Sequence, residues 1–315
     1  MDKLYILSPE TKEEKDELET LMKLTNSSYL LYERKKFSKN KYLNKILDII
    51  SFFKFVKNSK KNGKVEILSV PSIVSRAVSV FLQTKLNIYM RGVYPSPEHK
   101  SVLSDYIDFA FKKIGINNKF TNTYKADRHL ITSVVTKNFL IYRKADKNII
   151  DIPPIWLKDI KIKQNGKRRI IFITQAFSEH NLEVAQNGQK KIIDNLITAL
   201  KEKGENLILK VHPRDKDRYA GYETFDGNAQ DLLNDISIND IVISAFSTLA
   251  FELSAIGANV KFISYDGVDD LYENLYLKYN IKFTKCSNEN LDINFLMSEK
   301  IEYNIFNPIN LDINL

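Results

Sequence analysis

Cysteine is nearly missing from this 315-residue chain, with Cys286 the only one. A lone thiol excludes an internal disulfide framework and fits a reducing compartment. It lies in FTKCSNEN with no histidine nearby, so it reads as structural or incidental. The four histidines, His99, His129, His180 and His212, have no metal-ligand spacing to one another or to the cysteine. No apolar run reaches the roughly 18–20 residues that a membrane span requires. The first residues, MDKLYILSPE, lack the charged and long apolar regions of a signal peptide. They read as a buried strand, Leu4–Leu7, closed by Ser8-Pro9, and the expected location is the cytoplasm. Basic-aromatic RNA signatures, zinc-finger spacing and a helix-turn-helix are also missing, so nucleic acid is not an expected partner. Glycine is scarce, at 10 residues, and no repeat of fixed period occurs.

What the chain does have is the composition of a soluble globular protein, 43% hydrophobic and 27% charged. Its length suits two domains. The formal charge of +8 is unevenly spread. Between Arg34 and Lys64 eleven lysines and arginines face one acid, Asp48, and the apolar segment Tyr42–Val56 lies among them. That stretch reads either as a core-packed helix with a solvated basic face or as a patch for an anionic membrane surface or a polyanionic acceptor.

The first 150 or so residues alternate short apolar strands with helices, the rhythm of a parallel sheet covered on both faces. Strands are expected at Leu4–Leu7, Tyr29–Tyr32, Val65–Val70 and Asn87–Met90, and helices at Ser72–Gln83 and Glu98–Ile114. His99 and His129 follow turn-like segments and read as surface residues. Ile149–Lys161, with Pro153-Pro154 inside it, breaks the rhythm and reads as a linker in which Trp156 buries against one domain. A second series follows: strand Arg169–Thr174, helix Gln189–Lys203, strand Leu207–Val211 and helix Ala229–Asn234. Strand Ile241–Ser244, helix Thr248–Ala255 and strand Val260–Ser264 complete it. Residues 287–315 read as an irregular tail that packs back on the core. Domains are therefore expected at 1–150 and 151–315.

Polar groups gather at strand ends of this second series. Leu207–Leu209 runs into Lys210, His212, Pro213 and Arg214, where an imidazole beside two cations suits a phosphate or simply occupies a turn. Ile241–Ile243 runs into Ser244, and Ser247-Thr248 opens a helix, as a cap or as an anion-binding N-terminus. Ile170–Thr174 ends in Gln175, Ser178, Glu179 and His180, a loop able to present a base to an acceptor hydroxyl. Asp215–Asp217 reads as a solvated turn rather than a metal-binding DxD pair.

FITQAFSEHN, then KVHPRD, then SAFSTLAFELSAIGA resemble the bacterial sialyltransferases of glycosyltransferase family 52 and the related capsule sialyl- and polysialyltransferases. That resemblance implies an α/β fold of GT-B architecture: two Rossmann-like doubly wound domains with an interdomain cleft, the first for acceptor and the second for donor. It implies an inverting transfer of sialic acid from CMP-Neu5Ac to a glycan hydroxyl of capsule, lipooligosaccharide or O-antigen. His212 would protonate the departing CMP phosphate, Ser247 and Thr248 would hold it, and Glu179 would be the base, with His180 the alternative. Lys210, Pro213, Arg214, Ser244, Gln175 and Ser178 would complete the donor site. The family's acidic-acidic-glycine motif is absent. No metal or other cofactor is expected, because CMP departs with a single phosphate. Expected partners are a CMP-sugar donor and a glycan acceptor, with membrane contact through Arg34–Lys64 and a homodimer left open. Another CMP-nonulosonate or CMP-Kdo donor, a polyol-phosphate transfer of the teichoic-acid type, and a non-catalytic binding protein remain alternatives.

Overall fold

The computed structural model describes residues 3–34, 38–93, 126–142, 148–177, 182–215, 219–287, 291–308 and 313. The chain forms two compact units, Met1–Lys158 with Asn307–Leu315, and Asp159–Phe306.

In the first unit the described elements run β1 (Leu4–Ser8), α1 (Lys12–Leu24), β2 (Ser28–Leu31), α2 (Lys41–Ser59), β3 (Val65–Ser69), α3 (Ile73–Leu82), β4 (Lys85–Met90), β5 (Arg128–Ile131), α4 (Val134–Tyr142) and β6 (Ile149–Asp151). All strands are parallel, in the order β2-β1-β3-β4-β5-β6. Side chains alternate across the sheet, and both faces are apolar because both are covered. Ile6, Ile67, Ile88 and Ile131 meet Phe52 and Val56 of α2, Val74 and Val78 of α3, and Phe139 and Leu140 of α4. On the opposite face Tyr5, Leu7, Leu68 and Leu130 meet Leu18, Leu21 and Met22 of α1. Each large apolar side chain taken fully out of water contributes about 1.5–3 kcal/mol.

Several features differ from the sequence-based expectation, the unforeseen helix α4 among them. Helix α1 was not foreseen, although Thr11 and Glu14 form a reciprocal capping box that marks its start. His129 is not a surface residue. It sits in β5, fully buried, because β5 is inserted between β4 and β6. Ile149–Asp151, expected in the linker, pairs with β5 as the edge strand of the sheet. The expected helix Glu98–Ile114 and His99 lie outside the described residues.

Beyond β6 the two prolines lead into a short 3₁₀ turn, Ile155–Leu157. Trp156 packs on the first unit with the Arg91 guanidinium 5.0 Å from its ring centroid. Arg91 also reaches the buried Glu17 carboxylate at 3.1 Å, to which the Tyr89 hydroxyl donates at 2.8 Å. Burial raises the Glu17 carboxyl to about 6, against the opposing pull of Arg91 and Tyr89. The tail returns to this unit: the Asn307 side-chain amide donates to the carbonyls of Ile131 and Ile152 at 2.8 and 3.0 Å.

The second unit contains β7 (Ile170–Ile173), α5 (Glu183–Lys201), β8 (Leu207–Lys210), α6 (Ala229–Asp235), β9 (Ile241–Ser244), α7 (Thr248–Ala255), β10 (Asn259–Ser264), α8 (Asp269–Lys278), β11 (Phe283–Lys285) and α9 (Ile293–Leu296). Its sheet is also parallel, ordered β11-β10-β9-β7-β8. β9 and α7 have the expected boundaries, whereas α5 begins earlier, at Glu183. Ile192, Ile193 and Leu196 of α5 pack on Phe172, Leu209 and Ile243. Arg169 anchors the amino end of β7 by ion pairs to Asp235 at 2.5 Å and Asp240 at 2.6 Å. Cys286 is buried in this core, and desolvation pushes its thiol up to about 12.

Candidate functional site

Strand order reverses at the first strand of each unit, β2-β1-β3 in one and β8-β7-β9 in the other. At such a point successive loops leave the sheet in opposite directions, and the gap at the carboxyl ends of the strands is where doubly wound sheets bind ligands. In the second unit the loops after β7, β8, β9 and β10 carry most of the residues singled out from the sequence.

Thr174, directly after β7, is fully buried and ties two of these loops together. Its hydroxyl accepts the backbone N–H of His212 at 2.9 Å and donates to Asp215 Oδ2 at 3.2 Å. Asp215 also accepts the Tyr219 hydroxyl at 2.9 Å. Gln189 of α5 closes the network. Its amide donates to the Tyr219 oxygen and to the Gln175 carbonyl, both at 3.2 Å, and its Oε1 accepts the Gln175 N–H at 2.7 Å. Asp215 does close a turn, its N–H donating to the His212 carbonyl at 2.9 Å, but its carboxylate is not left to solvent. It is half-buried and holds the β8 loop against the β7 loop. Lys216 and Asp217 lie outside the described residues.

This network holds the backbone of His212, and the imidazole is fixed from the other side. The Arg214 backbone N–H donates to His212 Nδ1 at 3.2 Å. A neutral ring with Nδ1 as acceptor carries its proton on Nε2, so the second nitrogen is a donor. Pro213 and Arg214 are exposed beside it. Lys210 is placed differently: its buried ammonium is held by the Gly227 carbonyl at 2.7 Å, and desolvation lowers its pKa.

After β9, Ser244 is fully buried and its hydroxyl has no hydrogen-bond partner. Gln175 Nε2, Ser264 Oγ and Tyr265 Oη are likewise buried and unpaired, and all three stand at the carboxyl ends of β7 and β10. Burial drives the Tyr265 hydroxyl well above its ordinary pKa. Ser247 occupies the N-cap position of α7 with extended backbone, yet its side chain makes no capping bond. Of the two readings left open for Ser247, the capping bond is thus not formed, and the first-turn N–H groups of a helix have no partner within the helix. Half-buried Thr248 follows in that turn. A loop after β10 completes the rim: Gly267 has φ +80°, and a Cβ there would stand 2.6 Å from the Ala185 nitrogen of α5. Only glycine allows that approach.

Ser178, Glu179 and His180 lie outside the described residues. The structure thus brings together Gln175, His212, Ser244, Ser247 and Thr248 at adjacent strand ends and turns Lys210 towards Gly227. Sequence reasoning missed Thr174, Gln189, Tyr219 and the bracing role of Asp215. A signal for Gln189 existed, because it lies three residues before Ile192 on the apolar face of α5. Among the described residues no group of three or more His, Cys, Asp or Glu is placed to hold a metal ion.

The corresponding point of the first unit is a serine cluster. Ser69 Oγ donates to the Ser8 carbonyl at 2.9 Å and lies 2.8 Å from Ser75 Oγ. Arg34 donates to Ser72 Oγ at 2.9 Å and pairs with Glu10 and Asp48.

Comparison with curated protein sequences gives no match. Among solved structures, the UDP-GlcNAc 2-epimerase of Methanocaldococcus jannaschii, in complex with UDP-GlcNAc and UDP, superposes with a TM-score of 0.54 at 11% identity, covering 98% of this chain and 96% of that one. A putative UDP-N-acetylglucosamine 2-epimerase from Listeria monocytogenes gives 0.53 at 14% identity, covering 93% and 86%. At such identities the likeness is one of fold, the GT-B α/β fold with its two Rossmann-like domains. A family model is more specific: that of alpha-2,8-polysialyltransferase matches residues 71–243, more than half of the chain, including Gln175 and His212 and ending just before Ser244. On that match, the chain belongs to the alpha-2,8-polysialyltransferase (POLYST) family and is a glycosyltransferase of the sialyltransferase type.

Proposed function

We propose that the protein moves a sialyl residue from a CMP-activated donor to a hydroxyl of a bacterial surface glycan, with inversion and without a metal ion, as a relative of glycosyltransferase family 52. The observation that carries this reading is His212, braced by Thr174 through its backbone and by Arg214 through Nδ1, with a proton on Nε2. In the proposed reaction the bond between the donor's anomeric carbon and the CMP phosphate oxygen breaks. A bond from that carbon to the acceptor oxygen forms. His212 gives its Nε2 proton to the phosphate, and a base takes the acceptor's proton. Glu179 remains the proposed base, with His180 the alternative.

The loops after β8 and β9 are separated by β7, a distance of two strand spacings or roughly 10 Å. That span suits one phosphate held between His212 on one side and Ser247, Thr248 and the first turn of α7 on the other. Ser244 and Gln175 would supply hydroxyl and amide to the same nucleotide, and Arg214 a cation at the rim. A single phosphate leaving as CMP needs less charge neutralisation than a diphosphate, which supports a metal-free reaction. The first unit would hold the acceptor. The bound nucleotides of the epimerase from M. jannaschii support a nucleotide-sugar donor in this fold.

The test is CMP release from CMP-Neu5Ac with sialic-acid- and galactose-terminated acceptors in the presence of EDTA. Acceptor-dependent release is expected, and His212→Ala should lower it by about 10²–10⁴-fold while CMP binding persists. Wild-type turnover in His212→Ala removes that residue from the chemistry. CMP binding without release from CMP-Neu5Ac overturns the donor assignment in favour of another CMP-nonulosonate or CMP-Kdo.

A further inference from the structure

Helix α2 carries an outward face that the proposed transfer does not use. Its inward residues Asp48, Phe52 and Val56 are buried on the first sheet. On the opposite side Leu43, Ile46 and Ile50 follow helical spacing and are exposed, and Lys54 and Lys57 continue the same stripe. The neighbouring helices on that side of the sheet add Ile73 from α3, and Val134 and Ile141 from α4. All six apolar side chains are 40–55% exposed. In the second unit, by contrast, Val184, Ile238 and Leu277 are 47–66% exposed but sit on separate elements. Single exposed apolar residues are ordinary, whereas a run along one helix with more on its neighbours marks a contact surface.

Charge identifies the partner. Lys45, Lys54, Lys57, Lys61 and Lys64 are exposed and make no ion pair with any described residue. The one acid of the segment, Asp48, faces inward, where it accepts the Tyr32 hydroxyl at 2.8 Å. Among the described residues, the outer face of α2 therefore presents cations with no compensating carboxylate. A two-fold contact with a second copy through this face would bring the lysines of both copies together, which disfavours self-association. None of the described helices is long and apolar enough to cross a membrane.

We propose that α2, with α3 and α4 beside it, rests on an anionic lipid bilayer. Leu43, Ile46 and Ile50 enter the headgroup–acyl boundary, and the lysines meet acidic headgroups. Each lysine near such a surface adds roughly fivefold to partition, and salt screens that term.

The test is flotation of the full chain with vesicles of phosphatidylcholine alone or mixed with phosphatidylglycerol, at low and high salt. Partition should be at least tenfold stronger onto the anionic vesicles and fall with salt. The double variant Ile46→Glu/Ile50→Glu, exposed enough to fold normally, should lose roughly tenfold or more. Lys54→Glu/Lys57→Glu should lose a comparable amount on anionic vesicles only. Circular dichroism and turnover of a small soluble acceptor should match wild type in both. Failure to float, equal binding to neutral and anionic vesicles, or wild-type flotation by the Ile46/Ile50 variant would each overturn the proposal. So would a wild-type dimer that this variant dissolves without any vesicle binding. Flotation is read without turnover, so it stands or falls separately from the proposed transfer.

Discussion

Replacing Thr174 by valine removes one hydroxyl and leaves the β-branched shape that suits the end of β7. The side chain is fully buried, so no water can take over its bonds directly. Two bonds disappear: acceptance of the His212 N–H at 2.9 Å and donation to Asp215 at 3.2 Å. A buried N–H left without a partner costs about 1–3 kcal/mol. Asp215 is half-exposed and keeps the Tyr219 hydroxyl, so its share is smaller, about 0.5 kcal/mol. A loss near 2 kcal/mol is expected, visible as a lower urea midpoint with unchanged slope. The functional effect should exceed the stability effect, because the β8 loop positions His212, the proposed proton donor. A displacement of about 1 Å at a reacting group costs up to 10²-fold in rate, so kcat for CMP release should fall by about ten- to a hundredfold with little change in CMP affinity. Thr174→Ser, which keeps the hydroxyl, should recover most of both losses. Two results refute this chain of reasoning. One is Thr174→Val with wild-type midpoint and turnover. The other is Thr174→Ser as impaired as Thr174→Val, which would assign the role to the methyl group.

Two further predictions concern buried charges. Glu17 titrates near 6 in the folded protein, above the ordinary 4.5, so the folded state binds more protons between those values. Stability should fall by about 2 kcal/mol as pH rises through that window. In Glu17→Gln the fall should vanish, and a wild-type-minus-variant difference that stays constant from pH 4 to 7 would contradict it. Lys261 is fully buried and desolvated, with its pKa lowered from 10.5 to about 8, although its ammonium donates to Ser298 Oγ at 2.8 Å and the Glu299 carbonyl at 2.5 Å. The unfolded state then binds more protons between pH 8 and 10.5, so stability should rise by about 3 kcal/mol across that range. Lys261→Met should lack this rise when urea midpoints are compared at the two ends, and an equal slope in both proteins would show that the ammonium is not desolvated.

Strand-end reading of the sequence succeeded where one apolar run stops at one polar residue. Ile241–Ile243 before Ser244 is a fully buried parallel strand for the reason its composition suggests, both faces being covered, and Leu207–Leu209 before Lys210 is a parallel edge strand in which only Ile208 is half-buried. The helix opening at Thr248 was equally legible. The reading failed at His129 and at Ile149–Asp151. A polar residue in a short strand looks like surface until the neighbouring strands β4 and β6 are known, and a three-residue edge strand before two prolines has the local pattern of a linker. Periodicity describes one element at a time, whereas these two placements are set by pairing between elements distant in the chain.

The same distinction separates the candidate site into two parts. Ser244, Ser247, Thr248 and His212 stand where a strand delivers them, so counting from the last apolar residue finds them. Thr174, Gln189, Asp215 and Tyr219 act through each other across as many as 41 positions, from β7 to the β8 loop and onto α5. Thr174 and Asp215 lie inside stretches singled out from the sequence, but nothing in those stretches marks them as a pair, and Gln189 and Tyr219 lie in no motif. Lys210 shows the converse: its place beside His212 in the chain suggested a phosphate ligand, but the strand's alternation turns its side chain away from Leu209's face and onto the Gly227 carbonyl. Residues that touch substrate can therefore be sought at strand ends, while those that set the orientation of His212 become visible only once β7, β8 and α5 are packed. For that reason Thr174→Val tests more of the proposed site than replacing any residue of the HPR sequence, since it alters the geometry of His212 without removing a single group that would contact the donor.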